Sequence, residues 1–334
     1  MRAAAWAGCL TAIIVSLWLS TGASLRPATP PAPLRFQKGV NFTAERRVGY
    51  GAESVSGMLD RLAGHGVDSI AVVPYGFAPR GEPVVRFGGG WERDADMERL
   101  SAEARRRGML VLLKPQIWLR RGYPGEIEFD SEEDRARWFA EYARFLEHYA
   151  KLATRIEADL FSIGVEFARM TRHESEWRSL IALARRHYNG PLTYTAAHGP
   201  EFESVRFWDA LDYIGLSNYY PLSDGLSADR AVRAVEAVYR RYRKPVLFTE
   251  AGFASLKDPH LAPWDETPRE WSGEDQARCY EAVFRAFYDK PWFQGVYWWK
   301  VGTNGYGGPE DGSHTPWGKP AMDVVARWYT QGGR

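Results

Sequence analysis

The chain has 334 residues, of which 45% are hydrophobic, 25% charged and 14% aromatic, with 43 basic and 42 acidic side chains for a net charge of +1. That length suits one large α/β barrel or two smaller domains. The balanced charge, with no basic or acidic block, excludes a nucleic-acid or anionic-membrane surface as the organising feature.

The N-terminus differs from the rest. Met1-Arg2 precedes an apolar stretch from Ala3 to Leu19, followed by the small residues Ser20-Thr21-Gly22-Ala23. This reads as a signal peptide over 1–23 with cleavage after Ala23, and export to the periplasm or medium is expected. An uncleaved anchor is the alternative, since the run is near the lower limit for spanning a bilayer. Cys9 lies ahead of the apolar core, which argues against a lipoprotein site. A Pro-rich linker follows over 24–36, and the barrel itself is expected over 37–331. Removal of the leader would leave Cys279 as the one cysteine, so no internal disulfide is expected despite the oxidising destination.

Beyond the linker, strand-like and helix-like segments alternate. Strands are predicted at Lys38–Thr43, Ser69–Phe77, Met109–Trp118, Leu160–Met170, Pro191–His198, Leu211–Leu222, Pro245–Phe253 and Gln294–Val301. Amphipathic helices are predicted at Glu53–His65, Asp94–Arg107, Ser131–Thr154, Glu174–Tyr188, Ala228–Tyr242, Gly273–Tyr288 and Ala321–Tyr329, with Glu203–Ala210 too short for more than a turn. Strands such as Val111-Leu-Leu113 are continuously apolar, as parallel strands covered on both faces must be. Eight such repeats predict an α/β fold, a single (β/α)8 TIM barrel. A doubly wound open sheet is the alternative, but no Gly-rich phosphate turn follows the first strand. The long connections Pro79–Trp91, Leu119–Asp130, Lys257–Ser272 and Gly302–Pro316 all follow strands. They elaborate the C-terminal face, where barrel enzymes carry their sites.

Two strands end in an acid. Leu160-Phe-Ser-Ile-Gly-Val-Glu166 and Pro245-Val-Leu-Phe-Thr-Glu250 each deliver a carboxylate to the barrel mouth. A buried acid is costly unless paired, neutral or in use. Strands four and seven face each other across the mouth, so the two carboxyls are suited to flank and cleave a glycosidic bond. Other strand ends are polar or aromatic: Asn41, Tyr75, Lys114, Gln116, Trp118, His198, Asn218, Tyr219, Trp298, Trp299 and Lys300. Amides, Lys and His would hydrogen-bond sugar hydroxyls, and aromatic faces would stack on pyranose rings. Lys114, Gln116 and Trp118 alternate and so share one face. Tyr219 is placed to donate to the carboxylate of Glu250. One of Trp298 and Trp299 is expected in the core. Trp91, Trp264, Trp271 and Trp317 fall in loops, as the walls of a polysaccharide cleft require.

Competing chemistries lack their motifs. The seven His contain no His-x-His or His-x-x-x-His spacing for a metal hydrolase. There is no Gly-x-Ser-x-Gly elbow. A Schiff base on Lys114 would have no use for paired glutamates.

The ordered set Gly39-Val-Asn41, Val73-Pro-Tyr-Gly-Phe77, Leu113-Lys-Pro-Gln-Ile-Trp118, Ile163-Gly-Val-Glu166, Asp212-Tyr-Ile-Gly-Leu-Ser-Asn-Tyr-Tyr-Pro-Leu222, Leu247-Phe-Thr-Glu-Ala-Gly252 and Gly295-Val-Tyr-Trp-Trp-Lys300 resembles the clan of retaining barrel glycosidases. More narrowly it is similar to glycoside hydrolase family 113, whose characterised members are β-1,4-mannanases. The resemblance implies Glu166 as acid/base, Glu250 as nucleophile, double displacement, and neither metal nor organic cofactor. Two positions depart from the pattern. The clan usually places Asn before the acid/base, where Val165 stands, and the pattern around Gln116 leads to an expectation of His there. The expected substrate is a β-linked polysaccharide or oligosaccharide, mannan first, acted on by a monomer. A β-glucanase or other hexosan hydrolase of the same mechanism, or a non-catalytic glycan-binding barrel, are the alternatives.

Overall fold

The computed structural model describes residues 34–333 apart from 46, 90 and 91. The leader, most of the linker and the loop residue Trp91 lie outside the described residues.

Among the described residues ten strands and eight helices run in chain order: β1 (Gln37–Thr43), α1 (Ser54–Gly64), β2 (Ser69–Val72), β3 (Tyr75–Phe77), α2 (Asp94–Arg106), β4 (Leu110–Leu113), β5 (Gln116–Trp118), α3 (Glu132–Arg155), β6 (Leu160–Val165), α4 (Glu174–His187), β7 (Leu192–Ala197), α5 (Pro200–Ser204), β8 (Ile214–Asn218), α6 (Asp229–Tyr242), β9 (Val246–Ala251), α7 (Gly273–Phe287), β10 (Phe293–Gly302) and α8 (Pro320–Gln331). Eight of the strands close a parallel barrel in the order β1-β2-β4-β6-β7-β8-β9-β10, and β10 pairs back to β1. The (β/α)8 TIM barrel read from the strand–helix alternation is the fold.

Two predicted strands are each broken by a proline. Pro74 and Pro115 end regular pairing in β2 and β4, because proline lacks the N–H a central ladder needs. The chain then continues as β3 and β5, which pair with each other above the barrel rim, Tyr75 opposite Gln116 and Phe77 opposite Trp118. This second tier carries four of the expected site residues: Tyr75, Gln116 and Trp118, with Lys114 at its base. The fifth helix is reduced to the single turn α5, as its short segment predicts. Residues Leu211–Tyr213 and Tyr219–Leu222 fall outside β8, which is shorter than its apolar run.

Barrel closure needs small residues where large rings cross. A Cβ on Gly39 would lie 2.4 Å from the Tyr297 ring, so glycine there lets Tyr297 fill the barrel interior. Ala71, Val73, Leu112, Leu160, Tyr213, Leu247 and Tyr297 form that inner apolar core. A larger apolar shell fills the space between strands and helices. Helices α3 and α7 start at Ser131 and Ser272, whose hydroxyls accept the N–H of Asp134 and Asp275. Such caps each contribute about 1 kcal/mol. The inner apolar core makes the floor on which a polar layer rests.

Candidate active site

Glu250 is the penultimate residue of β9, 7% exposed, and sits opposite Ser217 of β8. Three donors converge on it. Lys114 Nζ lies 2.7 Å from Oε2, Gln116 Nε2 3.3 Å from the same oxygen, and Tyr219 Oη donates to Oε1 at 2.8 Å. The Lys114 ammonium is fully buried, also reaches Thr249 O at 3.3 Å, and lies 5.0 Å from the centre of the Trp299 ring. Burial lowers its pKa and the charge of Glu250 opposes that fall. Burial, then the charge of Glu250, holds the Tyr219 phenol well above its ordinary range, so it remains a donor.

Replacing Lys114 with Met is therefore expected to leave a buried carboxylate without its cation. A stability loss of about 3–5 kcal/mol is predicted from breaking one side of such a pair. Urea unfolding of the variant beside wild type checks it, and an unchanged midpoint would refute it.

Glu166 stands one residue beyond β6, with φ of 57°. Its backbone N–H donates to Thr195 O of β7 at 2.8 Å. Burial of the carboxyl and the negative charge of Glu250 push its pKa up to about 7. The two glutamates share one cavity of about 610 Å³, with Tyr123, His198, Tyr219, Trp264, Glu266, Trp299 and His314 around them. Among these, the Trp264 ring stacks on His198 at 5.1 Å. His198 is half-buried, and burial drops its pKa to about 4, so it is a neutral hydrogen-bonding ring at neutral pH. A second cavity of about 740 Å³ lies beside the first, lined by Tyr75, Phe77, Trp118 and the ion pair of Lys300 with Glu45, 2.8 Å apart. Trp118 is 53% exposed there and tilts against Phe77.

Thus Glu166, Glu250, Gln116, His198, Tyr219 and Trp299 gather at one place, with Lys114 beneath, and Tyr75, Trp118 and Lys300 border the adjoining lobe. Four expected sugar contacts, Lys114, Asn41, Trp298 and Asn218, are corrected, and Lys114 faces Glu250 instead. Asn41 is fully buried, and its amide donates to Thr249 O at 3.2 Å and Tyr297 O at 3.0 Å, so it ties β1 to β9 and β10 below the site. Trp298 is also fully buried and stacks on Tyr280 of α7 at 3.8 Å, because adjacent strand residues face opposite ways and Trp299 takes the cleft side. Asn218 ends β8 and is 3% exposed, outside the lining of either lobe.

Tyr123, Glu45, Glu266 and His314 line the cleft without having been singled out in the sequence. Glu266 Oε1 meets His314 Nδ1 at 2.6 Å, and that bond holds the Glu266 carboxyl below its ordinary range despite the opposing effect of burial. The contact latches the loop after β9 to the loop after β10. Among the described residues, no three His, Cys, Asp or Glu side chains are grouped as metal ligands.

A barrel with two carboxyls on its fourth and seventh strands, set in an aromatic-walled cleft, has the architecture of a glycosidase. The comparisons with known proteins agree. The model of glycoside hydrolase family 113 matches residues 41–315, and the chain belongs to that family. It is an O-glycosyl hydrolase. The family 113 β-mannanase of Alicyclobacillus acidocaldarius, solved in complex with ManMIm, is 34% identical over 89% of this chain and 98% of its own, with a TM-score of 0.83. A family 113 β-1,4-mannanase, also solved as a complex, is 28% identical over 89% of this chain and 100% of its own, with a TM-score of 0.82. The β-glucuronidase of Faecalibacterium prausnitzii, at 17% identity and a TM-score of 0.61 over 89% of this chain and 49% of its own, shares the fold. No curated protein matches the sequence.

Proposed function

We propose that the protein is an exported, retaining, endo-acting β-mannanase whose acid/base is Glu166 and whose nucleophile is Glu250. The observation that carries this reading is the contrast between the two carboxyls in one cavity. Glu250 accepts hydrogen bonds from Lys114, Gln116 and Tyr219, whereas the Glu166 carboxyl, half-buried in the same cavity and near the charge of Glu250, has its pKa raised to about 7. Pairs of acids whose environments differ in this way divide into proton donor and nucleophile.

In the first step the Glu250 carboxylate attacks the anomeric carbon. The glycosidic C–O bond breaks, and Glu166 gives its proton to the departing oxygen. In the second step the ionised Glu166 takes a proton from water, whose oxygen attacks the same carbon and releases Glu250. Two inversions give net retention. Trp299 supplies a ring face beside Glu250. The cavity with His198 and Trp264 around the glutamates and the second cavity with Tyr75 and Trp118 give room for more than one sugar, which supports action on a polymer. Mannan is the substrate suggested by the similarity to two β-mannanases. Val165 occupies the position before the acid/base and offers no hydrogen bond to the 2-hydroxyl. Export rests on the apolar segment from Ala3 to Leu19 and the small residues that end at Ala23.

The test is reducing-sugar release by the purified protein on mannan, glucomannan, β-glucan, xylan and galactan. Mannan is expected to be cleaved fastest, and exclusive cleavage of another polymer would overturn the assignment. The pH profile adds a signed prediction. Glu166 must be protonated in the free enzyme for the first step. Its raised pKa therefore keeps kcat/KM up to about pH 7 and predicts a fall of about tenfold per pH unit well above it. A profile still rising through pH 8 would contradict Glu166 as the acid.

A further inference from the structure

Glu166 adopts the left-handed backbone conformation, which costs a side-chain-bearing residue about 1–2 kcal/mol. Such a conformation persists only where the surroundings fix it. Here β7 does so from both sides. Thr195 O accepts the Glu166 N–H, and Tyr194 Oη accepts the Phe167 N–H at 2.8 Å. The Tyr194 hydroxyl is in turn bonded at 2.5 Å to Oε1 of Glu201, from the short helix α5. The other oxygen of Glu201 accepts the Ala197 N–H at 2.7 Å. Tyr194 is fully buried and Glu201 is 4% exposed, and neither lines the cleft.

Glu201 is an odd choice for a structural role. Its carboxyl is enclosed, and its pKa is pushed up to about 8 by burial, against the hydrogen bonds from Tyr194 and Ala197. A buried carboxyl with no cation beside it among the described residues destabilises the fold unless something else is gained. What it touches is the Tyr194 hydroxyl, which in turn holds the peptide that follows Glu166.

We propose that Tyr194 and Glu201 are positioning residues for proton transfer by Glu166. Glu201 fixes the rotation of the Tyr194 hydroxyl. That hydroxyl holds the Phe167 N–H, and the turn so fixed sets where the Glu166 carboxyl stands relative to the departing oxygen. A displacement of about 1 Å at a reacting group costs about 10²-fold in rate. The proposal rests on Glu166 being the acid/base.

The test separates acid catalysis from folding by the leaving group. A dinitrophenyl glycoside departs without a proton, whereas an oligosaccharide needs one. Tyr194→Phe keeps the ring contacts with Trp177, Phe207 and Trp208 and loses only the hydroxyl. Glu201→Ala removes the carboxyl, and Glu201→Gln retains an acceptor for Ala197 and a polar partner for Tyr194. Tyr194→Phe and Glu201→Ala are expected to lower kcat/KM about 10- to 100-fold on a mannan oligosaccharide, but by less than about threefold on the dinitrophenyl mannoside. Glu201→Gln should recover most of the loss. Should Glu201→Ala fail to fold, Tyr194→Phe carries the comparison. Equal losses on both substrates, or none, would overturn the proposal. Glu166→Ala run in parallel distinguishes the failures. Leaving-group dependence in Glu166→Ala but not in Tyr194→Phe sinks the brace alone, and its absence from Glu166→Ala sinks the acid assignment beneath it.

Discussion

Glu250→Gln is expected to lower kcat/KM on the polymer by at least about 10³-fold with the barrel intact, since removing a nucleophile that acts within a unit is among the costliest changes an enzyme can suffer. An amide oxygen is too weak a nucleophile to displace an alcohol from the anomeric carbon, so the first step has no substitute route. The change is nearly isosteric, and Gln keeps one of the two acceptor oxygens, so it can still face Lys114, which lies 2.7 Å from Oε2, while its NH2 faces the Tyr219 hydroxyl, 2.8 Å from Oε1, whose oxygen can accept. Loss of activity with a retained circular dichroism spectrum and cooperative melt would assign the defect to chemistry. Wild-type turnover in a folded Glu250→Gln protein would remove Glu250 from the mechanism.

Glu166→Ala is expected to behave differently. General acid catalysis contributes about 10²–10⁴-fold, and that is the loss predicted on mannan oligosaccharides. With a dinitrophenyl mannoside the first step should survive and the second should stall, because water then lacks its base. Azide, which needs no deprotonation, should restore turnover and yield the β-mannosyl azide by attack on the glycosyl-enzyme. Failure of azide to accelerate the variant, or an α-azide product, would contradict the assigned role of Glu166 in double displacement.

The chemistry of this site was legible in the sequence wherever it coincided with strand register. Glu166 and Glu250 announced themselves because each ends an apolar run, where an acid is otherwise expensive. Lys114 and Gln116 stood out as polar strand ends expected to meet sugar hydroxyls, and in the structure both reach Glu250. Register phase was harder to read. Trp298 lies on the same strand as the cleft residues Trp299 and Lys300 but points out to α7, and Asn41 of β1 points into the barrel floor. Only a known pleat phase separates Trp298 from Trp299. The prolines at 74 and 115 sat inside runs read as single strands, and the rim sheet of β3 and β5 came from the splay that follows them. Glu266 and His314 meet through two long loops, whose conformations leave no periodic trace in sequence. Glu201 gave no signal, because an acid just after a proline at a helix start reads as an ordinary first-turn residue favoured by the helix dipole.

The most direct test of the central claim is to trap the intermediate with 2-deoxy-2-fluoro-β-mannosyl fluoride and map the adduct by mass spectrometry of proteolytic peptides. Two-glutamate retention on mannosides predicts one fluoromannosyl group per protein, on the peptide that carries Glu250. A protein that cleaves mannan yet carries no adduct there, or carries it on another residue, would contradict it.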